Sequence, residues 1–255
     1  MQTQMLDARR GRLWVLAGWV LFNRDRGLWA GIAVIYLALA FVLNQIPFIG
    51  YLLLLWVTPV FAGGAITVAR NLDTGTTPIN TFAGKNIPDK LRHILESSVS
   101  ALFQIFWIPE KTLALMVIGT AALGATVIIQ ILAELLQVGG GQTPAIFVAG
   151  VGIAIWGPQL LSIVLVWMLQ LSVILAGLYA AHLVVLDQRM SWPAIEQGVQ
   201  ILVRNPLPVG LFGIMFLVPM LTIRHLGAPV GLLVNALMLP IFLPSLYESY
   251  KDLHA

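Results

Sequence analysis

The chain has 255 residues, of which 59% are apolar and only 10% charged, with a formal net charge of +3 and no cysteine. Soluble domains carry about 25% charge, so this chain cannot clothe a water-facing surface of its size, and its mean hydropathy of +0.90 points to lipid as its main solvent. Disulfides, thiolate chemistry and cysteine-ligated metals are excluded, and no run of Lys and Arg resembles a nucleic-acid-binding arm.

In chain order, Arg9, Arg10 and Arg12 precede an apolar run, Leu13–Phe22, that ends in Asn23-Arg24-Asp25-Arg26. The run has the length of a signal-peptide core but lacks a small-x-small cleavage site. It is expected to be an uncleaved cytoplasmic helix. A helix needs about 20 apolar residues to cross about 30 Å of hydrocarbon, where backbone groups find no outside partner. Six segments meet that requirement: Leu28–Ile46, Phe48–Ala69, Thr112–Leu136, Gln159–Leu186, Leu207–Ile223 and Val230–Tyr247. A short turn at Pro47 joins the first two, and His225-Leu226-Gly227-Ala228-Pro229 joins the last two. Ala145–Trp156 is too short and Gly-rich to cross alone and is expected to be re-entrant or interfacial.

The expected fold class is therefore all-α: a polytopic membrane helix bundle of about six transmembrane helices, arranged as hairpins each preceded by a cytoplasmic interfacial helix. Two such interfacial helices are amphipathic. Ile195, Gly198, Val199 and Leu202 form a stripe at i, i+3, i+4, i+7, and Leu91, Ile94, Leu95, Ser98 and Leu102 do the same within Asp89–Trp107. With six spans and the N-terminus inside, thirteen of the fourteen Lys and Arg residues fall on the cytoplasmic side and only Arg224 outside. The expected location is a bacterial inner (cytoplasmic) membrane, with both termini cytoplasmic.

An internal repeat runs through the pattern. Gly18, Leu21, Phe22, Arg24 and Asp25 align with Gly198, Ile201, Leu202, Arg204 and Asn205. Ile49, Gly50, Pro59, Val60, Phe61, Arg70, Asn71 and Leu72 align with Val230, Gly231, Pro240, Ile241, Phe242, Lys251, Asp252 and Leu253. Both copies begin on the same side, so they are parallel repeats. The single integral membrane domain, 1–255, divides into a first repeat (1–75), a middle hairpin (76–187, with interfacial helix 89–107) and a second repeat (188–255); the middle unit reads as a third, divergent copy. Four features together resemble an uncharacterised multi-pass inner-membrane protein family of proteobacteria: Arg9–Phe22 followed by Asn23-Arg24-Asp25, the hairpin ending in Thr58-Pro59-Val60-Phe61, the Arg204-Asn205-Pro206 turn, and the terminal Tyr247-Glu248-Ser249-Tyr250-Lys251-Asp252-Leu253. That family is similar to the membrane domain attached to some glycerophosphodiester phosphodiesterases. The resemblance implies fold and location, not an activity. Where that family carries Asn-Pro after the first cytoplasmic helix, this chain has Asp25-Arg26.

No P-loop, Gly-x-Ser-x-Gly or His-Glu-x-x-His occurs, and His93, His182, His225 and His254 share no metal-ligand spacing. The chain is expected to be no enzyme and to carry no cofactor or metal. Polar residues within spans are costly and mark candidate pathways or packing sites: Gln130, Glu134, Gln170, His182 and Asn235. Pro59, Pro219 and Pro240 are candidate helix kinks. Arg9, Arg10, Arg12, Trp14, Lys90, Arg92 and Arg204 are candidate lipid contacts at the interface. The expected function is a non-enzymatic scaffold or accessory subunit whose partners are membrane lipids, other membrane-protein subunits or itself, and no nucleic acid. The alternative is a transporter or channel for a small or amphiphilic solute, which a midplane cavity lined by Gln130, Gln170 and Asn235 would favour.

Overall fold

A computed structural model describes residues 7–46, 49–76, 86–139, 157–226 and 228–254, with the side chains of 44, 51, 136–139, 157–164 and 217–232 outside the description. Among the described residues the chain is entirely helical. Its elements are α1 (Arg10–Arg24), α2 (Arg26–Asn44), α3 (Ile49–Asp73), α4 (Ile87–Phe103) with a 3₁₀ turn at Gln104–Trp107, α5 (Pro109–Gly139), α6 (Gly157–Leu186), α7 (Ser191–Arg204), α8 (Pro206–Leu226) and α9 (Ala228–His254). Four of the six expected segments fall within one long helix; Leu28–Ile46 runs two residues past the end of α2, and Phe48–Ala69 begins at a residue outside the description, one before α3. The expected amphipathic segment 89–107 is α4 plus its 3₁₀ turn. The expected Ala145–Trp156 element lies outside the described residues.

Among the described residues, four helices are long and apolar enough to cross a membrane, through the windows Arg26–Leu43, Leu52–Asp73, Pro109–Leu135 and Leu165–Leu186. A fifth is counted if α7 and the start of α8, bent by 97° at Asn205, are taken as one broken span. Large apolar side chains such as Val34, Phe41, Leu113, Ile128, Ile131 and Leu135 point outward. In water they would form a patch far beyond what a soluble monomer exposes; in lipid they cost nothing.

The helices follow one another as short, long, long, three times over. Each short helix ends at a single extended residue, and the next long helix starts immediately after it. Those residues have similar backbone angles: Asp25 at φ −149°, ψ 81°, Ile108 at φ −115°, ψ 88°, and Asn205 at φ −126°, ψ 52°. Pro109 and Pro206 open two of the long helices, where a missing N–H costs nothing. At the first break Asp25 caps α2 by accepting a hydrogen bond from the Leu28 N–H at 3.0 Å.

α3, α6 and α9, the last helices of the three sets, lie toward the middle, and each is crossed by the short helix of the next set: α3 by α4, α6 by α7 and α9 by α1. Small residues allow the backbones to touch. A Cβ on Gly64 of α3 would lie 2.5 Å from the Ala101 carbonyl oxygen of α4, and one on Gly198 of α7 would lie 2.5 Å from that of Ala176 on α6. Gly18 of α1 meets the backbone of Ser245 on α9 at the same separation. Each crossing lies nine or ten residues before the central helix ends, about 14 Å along its axis.

Around this frame the core divides in two. One part gathers Trp14, Tyr179, Phe212 and Leu246 where α1, α6, α8 and α9 meet. The other gathers Trp29, Ile32, Phe61 and Tyr247 around α2, α3 and α9. Polar ties hold neighbours in register: Tyr36 to Thr58 at 2.9 Å, Trp56 to Thr120 at 3.0 Å, and Tyr179 to Ser249 at 2.9 Å. α3 runs unbroken through Pro59, as α9 does through Pro240 and Pro244.

Candidate functional site

The short helices are the most unusual surfaces of the molecule. Each buries a narrow stripe against the bundle: Gly11, Trp14, Gly18 and Leu21 on α1, Ser98, Ala101 and Leu102 on α4, and Ala194, Gly198 and Ile201 on α7. Each also turns a second apolar stripe outward. On α4 it is Ile87, Leu91, Leu95, Val99 and Phe103, one residue every four; on α7 it includes Trp192, Val199 and Val203. Charged groups occupy what remains, among them Lys90, Arg92 and Glu96 on α4 and Glu196 and Arg204 on α7. A helix buried on one side, apolar on another and charged on the third suits the boundary between a membrane and water.

Two half-open grooves lie beside these helices. The larger, about 410 Å³, is enclosed by α5, α6 and α7, with Ala121, Ala125, Val173 and Val199 among its walls. The smaller, about 250 Å³, is enclosed by α2, α3 and α4, with Leu39, Val42, Phe61 and Leu102 among its walls. Their only side-chain hydroxyls, Ser172 and Tyr36, are already engaged, Ser172 donating to the Met168 carbonyl and Tyr36 bonding Thr58. Such walls offer a ligand apolar contact and no unbonded side-chain hydroxyl.

At the end of the bundle where α3, α6 and α9 finish, the side chains are charged and aromatic. The Lys251 ammonium pairs with the Asp73 carboxylate at 2.8 Å, and Tyr247 donates to the same carboxylate at 3.3 Å. Arg24 donates to the Leu72 carbonyl and Lys111 to that of Val185, each offering a cation to a helix C-terminus. Burial lowers the Lys251 pKa, but Asp73 and Glu248 outweigh it and the net shift is upward. Tyr250 is stacked between the rings of His182 and His254, with centroids 5.0 and 4.2 Å away. Burial lowers the His254 pKa and outweighs the raising effects of the Tyr250 carbonyl and Asp187. The stack closes the end of the molecule as packing. Among the described residues no group of three His, Asp or Glu side chains could hold a metal ion.

The polar residues expected to mark a pathway are dispersed. Gln130 and Glu134 are exposed on the outer face of α5. Gln170 is half-buried and donates to Thr126 at 2.9 Å, tying α6 to α5. His182 is fully buried twelve residues further along α6, about 18 Å away along the helix, with Nδ1 on the Leu178 carbonyl at 2.8 Å. Asn235 is half-buried on α9. None of these five residues lines either groove.

Of the expected kinks, Pro59 and Pro240 are buried within continuous helices, and the side chain of Pro219 lies outside the described residues. Of the expected lipid contacts, Arg9, Arg12 and Arg204 are exposed and Lys90 is half-buried. Arg92 is exposed and pairs with Glu96 at 2.7 Å. Trp14 departs from the expectation: it is only 3% exposed, packs edge-on against Phe212 and donates its indole N–H to Asp252 at 2.8 Å. Arg10 joins it on that carboxylate at 2.9 Å. Both residues therefore lock α1 to the end of α9. The partner of Arg10, in the first turn of α1, is a carboxylate 242 residues away, which no local pattern announces. The grooves escaped sequence reading for a related reason: Ala121, Ala122 and Ala125 look like ordinary span residues until two other helices wall them in.

Comparison with protein-family models, with curated proteins and with solved structures found no match to this chain.

Proposed function

We propose that this chain is a non-enzymatic scaffold or accessory subunit of a bacterial inner membrane, built as six spans with both termini cytoplasmic, and that it works by binding membrane lipid and neighbouring membrane proteins. The observation that carries this reading is the pairing of outward apolar stripes on α4 and α7 with two dry grooves beside them. Such surfaces offer no group for catalysis and no wetted path for a solute, but they fit apolar chains.

Three further observations support the topology. α8 has 21 residues and α9 has 27, enough for spans of about 30 Å at 1.5 Å per residue. The 97° turn at Asn205 suits a helix lying along the interface before one that crosses. The Lys and Arg distribution favours the side on which α3, α6 and α9 end. The recurrence of small crossing residues, extended break residues and element order supports an internal repeat of three units: 1–75, 76–187 and 188–255. The resemblance to the proteobacterial family remains part of the proposal on its sequence motifs alone.

The transport reading is weaker because Gln130, Gln170 and Asn235 do not converge on a cavity. The deciding experiment is purification from membranes in a mild detergent with co-purifying lipids and proteins identified. Stoichiometric phospholipid or a constant partner subunit is expected. A lipid-free, partner-free protein that conducts a solute in liposomes would refute the scaffold reading.

A further inference from the structure

The end of α9 is held by two imidazoles in the same bonding state. In His182, on α6, Nδ1 lies 2.8 Å from the Leu178 carbonyl oxygen, and in His254, on α9, Nδ1 lies 3.0 Å from that of Tyr250. A carbonyl oxygen only accepts, so each Nδ1 carries the proton, and in a neutral ring Nε2 is then a bare lone pair. Both Nε2 atoms are buried, and among the described residues no donor reaches either. Tyr250 is stacked between the two rings, with centroids 5.0 and 4.2 Å away. Tyr179 and Tyr247 complete the surroundings of His182 at 6.4 and 6.5 Å. Their hydroxyls are already engaged, with Ser249 and with Asp73.

The charged groups around this stack receive a proton badly. From the turn after α6, Asp187 faces Tyr250 and His254 and favours a positive imidazole, while Arg189 faces both and opposes one. α3 contributes Asp73 and Arg70, and α1 contributes Arg10 and Arg24. The other carboxylates already face cations: Asp73 faces Lys251 and Arg24, Glu248 faces Lys251, and Asp252 faces Arg10. A second proton on either ring places a full charge and a new N–H at a buried atom. Burial holds the His254 pKa below its ordinary value of 6.5, so the released segment binds that proton more readily than the docked one. The stabilisation is complete above about 6.5 and is lost as the pH falls below it.

The same stretch of α9 ties the first and last helices together. Lys251 and Tyr247 bond Asp73 of α3, and Asp252 accepts from Arg10 and from the Trp14 indole of α1. We propose that the His182–Tyr250–His254 stack is a proton-operated clasp. Neutral, it holds the end of α9 against α6; protonation of the imidazoles releases that end together with its grip on α1 and α3. The clasp goes beyond the scaffold reading and does not depend on it.

The test is hydrogen exchange read by mass spectrometry on the full chain in phospholipid nanodiscs, at about pH 7.5 and about pH 5, on either side of the ordinary imidazole value. Rates are corrected for the chemical dependence of exchange on pH. Peptides covering the end of α9 and α1 should open about tenfold more readily in acid, the scale set by leaving a buried N–H without an acceptor, while those of α4 and α5 hold their rates. His254→Phe keeps a ring against Tyr250 but takes no proton, and should reduce the acceleration; His182→Phe combined with His254→Phe should abolish it. His254 is only half-buried, so His254→Phe alone decides the matter if the double variant fails to fold. Asp187→Asn removes the carboxylate that favours the proton and should move the opening to lower pH. No acceleration in the unaltered chain, or one shared equally by α4 and α5, would overturn the clasp. An acceleration that survives His254→Phe in full would overturn it too, and would assign acid release to the Asp73 and Asp252 carboxylates.

Discussion

Gly198 and Gly124 are the same residue in the same kind of helix, with opposite surroundings. A Cβ on Gly198 would press on the Ala176 carbonyl oxygen at 2.5 Å, whereas one on Gly124 meets nothing within 4 Å. Gly198→Ala should therefore force α7 away from α6 and cost about 1–3 kcal/mol. Gly124→Ala should be neutral or mildly stabilising, since alanine gives up less backbone freedom in a helix. Thermal unfolding of the two detergent-solubilised variants separates them, and equal melting temperatures would argue against a close crossing. The same scale explains the first-turn cations. Arg10 is legible in sequence as an interfacial charge, and interfacial charges are cheap to place anywhere near headgroups. Its pairing with Asp252 depends on where α9 ends, a fact held in no local window. Because both groups keep contact with solvent, the pair itself is worth little; the buried indole of Trp14 on the same carboxylate gives the contact its direction.

At the level of elements, the breaks organise the molecule. Asp25, Ile108 and Asn205 each convert a short helix into a long one through a single extended residue, and only Asp25 accepts its cap from the N–H three residues on. Asp25→Ala should cost about 1 kcal/mol through loss of that cap, and Asp25→Asn should retain most of it. Hydrogen exchange at the Leu28 amide provides the readout: faster in the alanine variant, near normal in the asparagine one. Comparable exchange in both would deny the cap its role. The long helices were legible because each has an apolar run of span length. α4 and α7 were legible from their 3.6-residue periodicity, although that periodicity shows only one apolar face. The buried face, Ser98, Ala101 and Leu102 on α4 and Ala194, Gly198 and Ile201 on α7, gave a weak hydropathy signal because half or more of it is small residues.

For the whole molecule, the chain's lack of cysteine makes topology directly measurable. Single-cysteine variants at Arg12, Thr74 and Gln45, all at exposed positions, should divide under a membrane-impermeant maleimide. Gln45→Cys should react in intact cells lacking an outer-membrane barrier, and Arg12→Cys and Thr74→Cys only after the inner membrane is opened. Reaction of Gln45→Cys and Thr74→Cys from one side would mean that α3 does not cross.

Sequence by itself determined that this chain is helical, suited to a membrane, and punctuated by short helices of which two are amphipathic, because span length, charge scarcity and periodicity are properties of contiguous residues. In the structure Gly18 and Gly198 each stand at a close helix crossing, and Asp25 and Asn205 each at a break between two helices. Tertiary structure alone decided that Trp14 turns inward, that five polar span residues do not meet, and that apolar residues of α5 and of α2 each border a half-open groove with two other helices. A groove is the space left among three helices distant in sequence, and the packing angles between them set its size, whatever the composition of any one helix.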